Sequence, residues 1–314
     1  MFRILTVTLV MLWTGLLTAQ CPEGDVTISS EEEALAYLEK FPNCETLTGN
    51  FTIGPPNGQG ATRIEKLPVF EKIKIIKGNL TIHKNQWLKV APEFPQLDTV
   101  GGHLTFKENV DFAGVVAFPV KAVGGDFSVA CASWKAFIEL RAPELVRIGG
   151  TLWVNANLSW YSFFPKLKTV GQAINIYDQP AKISQLNDFH QLESCDRINL
   201  SMHNKDLTIS GFEKLKNIQG LDLELKTSGS IQMGNLKPDY ITLNGLPSDL
   251  QLNFLKGITS LRSLNLYEMP SDALKYFPNL RKVGFAYFNS RDRNSWGAVG
   301  NLPQIDTVNN LILG

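Results

Sequence analysis

The stretch Phe94-Pro95-Gln96-Leu97-Asp98-Thr99-Val100-Gly101-Gly102-His103-Leu104-Thr105-Phe106 is one copy of a phrase that runs through the chain. Close copies, each with an apolar-Pro opening and a glycine step, occupy residues 118–129, 142–154 and 164–176. Looser copies begin at Phe41, Phe70, Phe189, Phe212, Phe277 and Leu302. A repeat of fixed period predicts a solenoid, in which each coil buries its apolar faces only against its neighbours.

The first apolar residue after the glycine step marks each coil. This marker recurs about every 24 residues, within the range typical of leucine-rich repeats. It opens an apolar–polar–apolar triplet such as Leu80-Thr81-Ile82, which predicts a short strand whose middle side chain faces outward. The markers are Phe51, Leu80, Leu104, Phe127, Leu152, Ile174, Ile198, Leu221, Ile241, Leu264, Tyr287 and Ile312.

Strands one coil apart run in the same direction, so they predict one long parallel sheet. The glycine pairs predict tight corners that need positive φ or close backbone approach. Ser30-Glu31-Glu32-Glu33 predicts a helix start by the capping-box rule, followed by an apolar stripe of Ala34, Leu35, Leu38 and Phe41 over the first coil. We therefore predict a mostly all-β fold: a right-handed parallel β-helix or leucine-rich-repeat-like solenoid of about 11–12 coils with a short N-terminal capping helix.

The period, the Leu-x-x-Leu-x-Leu of residues 261–266 and the Gly-Asn-Leu-Thr-Ile of residues 78–82 resemble the receptor L-domain. This leucine-rich-repeat-like β-helix occurs in insulin and epidermal-growth-factor receptor ectodomains and in many microbial surface proteins. The opening Cys21–Val26, a short helix and then Phe41–Ile53 are similar to the secreted bacterial versions. The resemblance covers about residues 21–314. It implies a module that binds a protein ligand or supports adhesion and cell-wall organisation, and it does not name the ligand.

The first twenty residues predict a secretory signal peptide. Met1-Phe2-Arg3 gives a basic start, an apolar run follows to Leu17, and Ala19 and Gln20 form the exit. The run is too short for a membrane anchor, and no other stretch is apolar enough to span a bilayer. We expect a secreted, cell-surface or cell-envelope protein, with an N-terminal cap at 21–45 and the repeat solenoid at 46–314.

The four cysteines divide into two kinds. An oxidising compartment favours a Cys21–Cys44 disulfide that closes the N-terminal cap. Lipid attachment at Cys21 is the alternative, but Gln20 is not the small residue that such sites need. Cys131 and Cys195 lie more than two periods apart, so we expect each to be a free, buried hydrophobe.

The last triplet runs into Leu311-Ile312-Leu313-Gly314 without a polar cap. An exposed apolar strand edge favours association. We therefore expect either a fragment of a longer protein or a C-terminal domain or subunit that covers this end.

The composition gives little sign of chemistry. Thirty basic and thirty acidic residues balance without a basic stripe, which argues against nucleic acid as a partner. His83 and His103 are the only histidines that adjacent coils might bring together, and their spacing predicts no metal site; no cofactor is predicted either. The outward strand positions are mostly Thr and Asn, with one acid, Asp222. A polysaccharide lyase or hydrolase would need Asp222, Asp206 and Glu224, or similar residues, to converge.

Surface aromatics are the remaining candidates for a binding site. Trp153 takes an outward strand position that other coils give to Thr or Asn, Tyr161 follows in the next bend, and Tyr177 lies one coil later. Such rings stack on sugars or anchor protein partners, although rings of this kind also pack under irregular loops. We predict a non-catalytic extracellular module that presents its sheet to a protein or polysaccharide ligand through Trp153, Tyr161 and Tyr177; a carbohydrate-active β-helix enzyme is the alternative.

Four Asn-x-Ser/Thr patterns begin at Asn50, Asn79, Asn157 and Asn199. They are glycan acceptors in a eukaryotic secreted protein. The coil itself repeats Asn50 and Asn79 at a turn, so we expect these residues to serve the turn and to carry no glycans.

Overall fold

The structure, a computed structural model, describes residues 21–56, 60–110, 112–131, 137–156, 163–178, 184–227, 229, 231–247, 249–270, 272–290 and 305–313. They form a parallel β-solenoid of about 11 turns, as the repeat predicts. The predicted signal peptide lies outside the described residues. Within the described residues, no helix has the length and apolarity needed to cross a membrane.

One helix, α1 (Glu31–Lys40), lies near the amino terminus, and 3-10 turns occur at Asn253–Gly257 and Ala273–Tyr276. The strands are β1 (Val26–Ile28), β2 (Thr46–Leu47), β3 (Phe51–Ile53), β4 (Ile75–Ile76), β5 (Leu80–His83), β6 (Thr99–Val100), β7 (Leu104–Lys107), β8 (Gly114–Ala117), β9 (Ala122–Val123), β10 (Phe127–Ala130), β11 (Ile138–Arg141), β12 (Arg147–Ile148), β13 (Leu152–Asn155), β14 (Thr169–Val170), β15 (Ala173–Asp178), β16 (Gln185–Phe189), β17 (Arg197–Met202), β18 (Thr208–Gly211), β19 (Asn217–Leu225), β20 (Lys237–Asn244), β21 (Ser260–Met269), β22 (Lys282–Ser290) and β23 (Thr307–Leu313).

Four parallel sheets form the walls. The large sheet has 13 strands in the order β1-β3-β5-β7-β10-β13-β15-β17-β19-β20-β21-β22-β23. A six-stranded sheet of two-residue strands, β14-β12-β9-β6-β4-β2, forms a second wall, and the pairs β11-β8 and β16-β18 form short third walls. Strand β1 lies within the predicted cap yet pairs with β3, so the sheet begins one strand earlier than the repeat markers indicate.

The strand register confirms ten of the twelve markers and corrects two. Phe51 through Leu264 align in one row across successive strands. In β22 the residue in this row is Ala286, not Tyr287, and in β23 it is Leu311, not Ile312. The error has a physical reason: alanine is too small to stand out as the core residue, and Leu311-Ile312-Leu313 has no polar residue to reveal the alternation.

A column of phenylalanines fills the core. Phenylalanines that open successive coils stack on one another, with ring centroids 4.9 Å apart for Phe70 and Phe94 and 4.8 Å apart for Phe189 and Phe212. Phe51 from the large sheet meets Phe70 edge to face at 5.2 Å. Apolar residues with a period of one coil therefore make one continuous core, as expected for a solenoid.

The corner before each large-sheet strand is tight because backbones of successive coils approach closely. A Cβ added to Gly124 or Gly149 would clash with the carbonyl oxygen of the glycine one coil earlier. The prediction of close backbone approach is thus confirmed at these positions, whereas neither Gly124 nor Gly149 has a positive φ.

A ladder of polar side chains runs along this corner. Asn50 Oδ1 accepts a hydrogen bond from the backbone N–H of Asn79 at 2.8 Å, and Asn79 Oδ1 accepts from His103 N–H at 2.7 Å. His103 Nδ1 then accepts from Asp126 N–H at 2.9 Å. Asn50 Nδ2 also lies 3.0 Å from both carboxylate oxygens of Asp25. Asn50 and Asn79 therefore serve the turn, which is the role that the coil repeat predicts for them.

The amino-terminal end carries the predicted cap. Ser30 Oγ accepts from Glu33 N–H at 3.2 Å, while Glu33 accepts in return from the N–H of Ser29 rather than of Ser30. Tyr37 is buried and Leu35 is exposed, so the buried face of α1 is rotated relative to the predicted apolar stripe, which included Leu35 and left out Tyr37. The Cys21–Cys44 disulfide is present, as predicted. Cys131 and Cys195 are free, and burial raises the pKa of each thiol to about 12.

Candidate binding face

The outward face of the large sheet carries the residues that sequence analysis singled out. From β13 to β22 its side chains form two neighbouring rows, which together we call the outer strip. The first row, taken from the strand register, is Trp153, Asn175, Asn199, Asp222, Thr242, Asn265 and Tyr287. The second row is Asn155, Tyr177, Ser201, Glu224, Asn244 and Tyr267.

Trp153 and Tyr177 meet at one end of the outer strip. Trp153 is 38 % exposed, so the expectation that its ring lies on the surface is met. The two ring centroids are 5.2 Å apart with planes tilted by 39°. Asn175 lies opposite Trp153 on β15 and is buried. Tyr161, the third predicted ligand-binding residue, lies outside the described residues.

A second aromatic pair closes the other end of the outer strip, and sequence reasoning missed it. Tyr267 on β21 is 38 % exposed, and its ring centroid lies 5.0 Å from that of Tyr287 on β22. Each pair has one ring in each row of the strip, but the two pairs run along opposite diagonals, since Trp153 and Tyr287 lie in the first row and Tyr177 and Tyr267 in the second. Counting outward positions from Ala286 would have revealed Tyr287, because it lies opposite Asn265.

Between the two pairs, polar side chains are linked across five strands. The amide of Asn199 spans two neighbours, its two polar atoms lying 2.5 Å from Oδ1 of Asn175 and 2.5 Å from Oδ2 of Asp222. Asp222 also hydrogen-bonds the side chain of Thr242, and Asn265 Nδ2 donates to Thr242 Oγ1 at 3.4 Å. These bonds hold the amides and hydroxyls of the first row in place.

Two carboxylates, Asp222 and Glu224, face outward from β19 in this polar region. They line a shallow pocket of about 310 Å³ together with Tyr177, Asn199 and Asn244. Burial raises the pKa of Asp222, while its hydrogen bond with Thr242 and the charge of Arg197 act in the opposite direction. The hydroxyl of Tyr177 has a raised pKa too, first through burial and then through the charges of Asp222 and Glu224.

Glu224 is held by the preceding coil. Ser201 Oγ donates to Glu224 Oε2 at 3.0 Å, and His203 Nε2 lies 3.4 Å from Oε1. Asp206, the third acid of the enzymatic alternative, is exposed in the turn after β17 and does not line the pocket. The structure thus brings two of those three acids together.

The histidines of the sequence analysis are not brought together. His83 ends β5, where it lies opposite Lys107, whereas His103 lies in the corner ladder at the other end of the strand. The part of the chain that the structure describes contains no group of three or more His, Cys, Asp or Glu residues arranged for a metal ion.

A larger cleft of about 530 Å³ lies away from the outer strip. It is bordered by Val90, Pro92, Phe112, Val115 and Pro143 among others, and its walls are mainly apolar. Because a binding site normally adds convergent polar groups to its apolar walls, the outer strip is the stronger candidate.

Replacing Asp222 with asparagine is expected to raise the free energy of unfolding at neutral pH. The folded pKa of Asp222 is raised above its ordinary value of 3.8, so its contribution to stability is complete below that value and is lost as pH rises through the folded pKa. Thermal melts of wild type and Asp222→Asn should differ at pH 7 and converge at acidic pH. Asp206→Asn is the matched control and should show no such gap; a destabilised Asp222→Asn at pH 7 would contradict the burial argument.

Comparison with known proteins finds one family whose model matches part of this chain. The receptor L domain family matches residues 43–117. No curated protein and no solved structure matches the chain. Receptor L domains are non-enzymatic, ligand-binding modules of extracellular or surface proteins. The chain is therefore similar to the receptor L domain family over residues 43–117, and the same parallel solenoid continues through the described residues that follow.

Proposed function

We propose that this protein is a non-catalytic extracellular binding or adhesion module whose ligand, a protein or a glycan, lies on the outer strip. The observation that carries the proposal is the exposed Trp153–Tyr177 pair beside the polar pocket on β15 to β20. Aromatic rings next to fixed polar groups supply apolar contact area and orientation at the same place.

The compartment belongs to the same proposal. The basic start and apolar run of residues 1–17 are typical of a secretory signal, and the Cys21–Cys44 disulfide fits an oxidising compartment. The exposed side chains of Leu311, Ile312 and Leu313 on β23 support a partner at that edge, either a C-terminal domain or another subunit.

The test compares two tryptophan variants for binding to cell-surface material of the source organism. Trp153→Ala removes half of the aromatic pair, and we expect roughly tenfold weaker binding, because such a buried contact contributes about 1 kcal/mol or more. Trp87→Ala is the matched control, since Trp87 is 55 % exposed and lies in the turn after β5, outside the outer strip. Protease or periodate treatment of the material then tells whether the ligand is protein or glycan.

A carbohydrate-active enzyme is the second candidate, and one observation favours it. Asp222 and Glu224 alternate on β19 and face the same side, so their Cα atoms lie about 6.6 Å apart. Their carboxyl groups line the same pocket, and a pair of carboxyl groups that flanks one sugar bond is what a glycosidase needs. Polymer length after incubation separates the candidates. If wild type leaves the polysaccharide chains at their original length, the binding module is supported. If wild type shortens the chains and Asp222→Asn leaves them intact, the enzyme is supported.

A further inference from the structure

We propose that the ligand of the outer strip is a neutral linear polysaccharide, which lies across the strands from the Trp153–Tyr177 pair to the Tyr267–Tyr287 pair. This inference rests on the proposed function and names the ligand class for the same face. It brings in the second aromatic pair, which the sequence did not reveal.

The two aromatic pairs are spaced for an extended chain. Six strand-to-strand steps separate β13, which carries Trp153, from β22, which carries Tyr287. At about 4.8 Å per step, the outermost rings, Trp153 and Tyr287, lie roughly 29 Å apart along the sheet, and the midpoints of the two pairs, five steps apart, lie roughly 24 Å apart. A sugar chain needs several units in a row to reach both pairs.

The width of the outer strip fits one extended chain. Its two rows are separated by about 6.6 Å along the strands, so with side chains the strip is about 10 Å wide. A ligand that runs across the strands in single file therefore contacts both rows at once.

The polar residues between the pairs match the hydroxyl groups of a sugar chain. Asn199 and Asn265 offer both donors and acceptors, and Thr242 offers a hydroxyl, while the buried Asn175 and Ser201 hydrogen-bond Asn199 and Glu224 from beneath. Their links to one another across the strands hold them in place before the ligand arrives. A groove of fixed amides with aromatic rings at its ends orients a ligand at low entropic cost.

The charges of the face favour a neutral ligand. The carboxylates of Asp222 and Glu224 both face the strip and would repel an acidic polymer. Arg197, in the adjoining outward position of β17, stacks on the ring of Tyr240 at 5.2 Å. Arg197 lies opposite Gly220 on β19, the strand that carries both acids, and its charge acts on Asp222.

The test is titration calorimetry of the full mature chain with oligosaccharides of defined length. The probes are β-1,4-glucan, β-1,3-glucan, β-1,4-mannan and N-acetylglucosamine oligomers from two to eight units, with alginate and polygalacturonate oligomers as acidic probes. In at least one neutral series, affinity should rise with length until the chain reaches both aromatic pairs, and then level off.

Variants at the two ends give this test its control. Trp153→Ala and Tyr287→Ala should each weaken binding of the longest neutral oligomer about tenfold, while Trp87→Ala leaves it unchanged. A disaccharide is too short to reach both aromatic pairs, so it should bind weakly. At most one of the two variants, Trp153→Ala or Tyr287→Ala, should weaken its binding further. Circular dichroism melts of each variant confirm that it folds.

Two results would overturn the inference. The first is that the protein binds none of the neutral oligosaccharides but still binds cell-surface material, and that Trp153→Ala weakens the latter binding. The proposed function would then stand, with a protein as the ligand. The other is tighter binding of the acidic oligomers than of the neutral ones. Loss of Trp153 dependence with cell-surface material would instead overturn the proposed function itself.

Discussion

Replacing Leu104 with aspartate is expected to abolish the cooperative fold of the solenoid. Leu104 lies in β7 with no exposed surface, between Leu80 and Phe127 on the neighbouring strands. The variant loses about 2 kcal/mol of apolar burial and places an unpaired carboxylate inside the core, which costs several kcal/mol more. Since domains are stable by only about 5–15 kcal/mol, this loss takes most of the available stability.

The neighbouring residue supplies the control for Leu104→Asp. Thr105 follows in the same strand but faces outward, so Thr105→Asp should change the free energy of unfolding by no more than about 1 kcal/mol. Val154→Asp, on a buried position of β13, should behave like Leu104→Asp. Denaturant unfolding followed by circular dichroism measures all three, and unchanged melting of Leu104→Asp would show that the strand register is wrong.

Removal of the Cys21–Cys44 disulfide is the change with the second largest expected effect. The bond closes a loop with a sequence separation of 23 residues. In the chain-entropy description, opening a loop of this size lowers the free energy of unfolding by about 3 kcal/mol. A Cys21→Ser, Cys44→Ser double variant should therefore be folded but clearly less stable.

The effect should be concentrated at the amino-terminal end, because each coil of a solenoid contacts only its neighbours. Hydrogen exchange should accelerate first in β1 and α1, while β19, β20 and β21 keep their protection. Cys131→Ser provides the control, since Cys131 is free. Equal acceleration along the whole chain would contradict a local role for the disulfide.

Sequence patterns predicted the fold down to individual side chains wherever a large apolar residue followed a glycine step. Leu104, Phe127 and Leu152 are examples, since each is buried at its predicted place in the sheet. The pattern failed at β22, where Ala286 occupies the core row and larger neighbours hide it. Period alone does not distinguish inward from outward positions when every residue of a segment is apolar.

The candidate site was predictable only in part, for the same reason. Trp153 stood out because other coils place a small polar residue there, and Tyr177 followed from the period. Tyr287 was hidden by the one-residue shift in β22, which moves a side chain to the opposite face of a sheet. Tyr267 lies three residues after Leu264, as Tyr177 lies three residues after Ile174, so the period alone would have revealed it. The link from Asn175 through Asn199 to Asp222 depends on side-chain orientation, which a single sequence does not specify.

The measurement that tests the central claim most directly is the binding of Trp153→Ala and Trp87→Ala to cell-surface material, side by side with wild type. If the outer strip is the binding surface, Trp153→Ala binds roughly tenfold more weakly and Trp87→Ala binds as wild type does. Equal binding by Trp153→Ala and wild type would contradict the claim, and a loss of binding in Trp87→Ala would in addition place the ligand outside the outer strip.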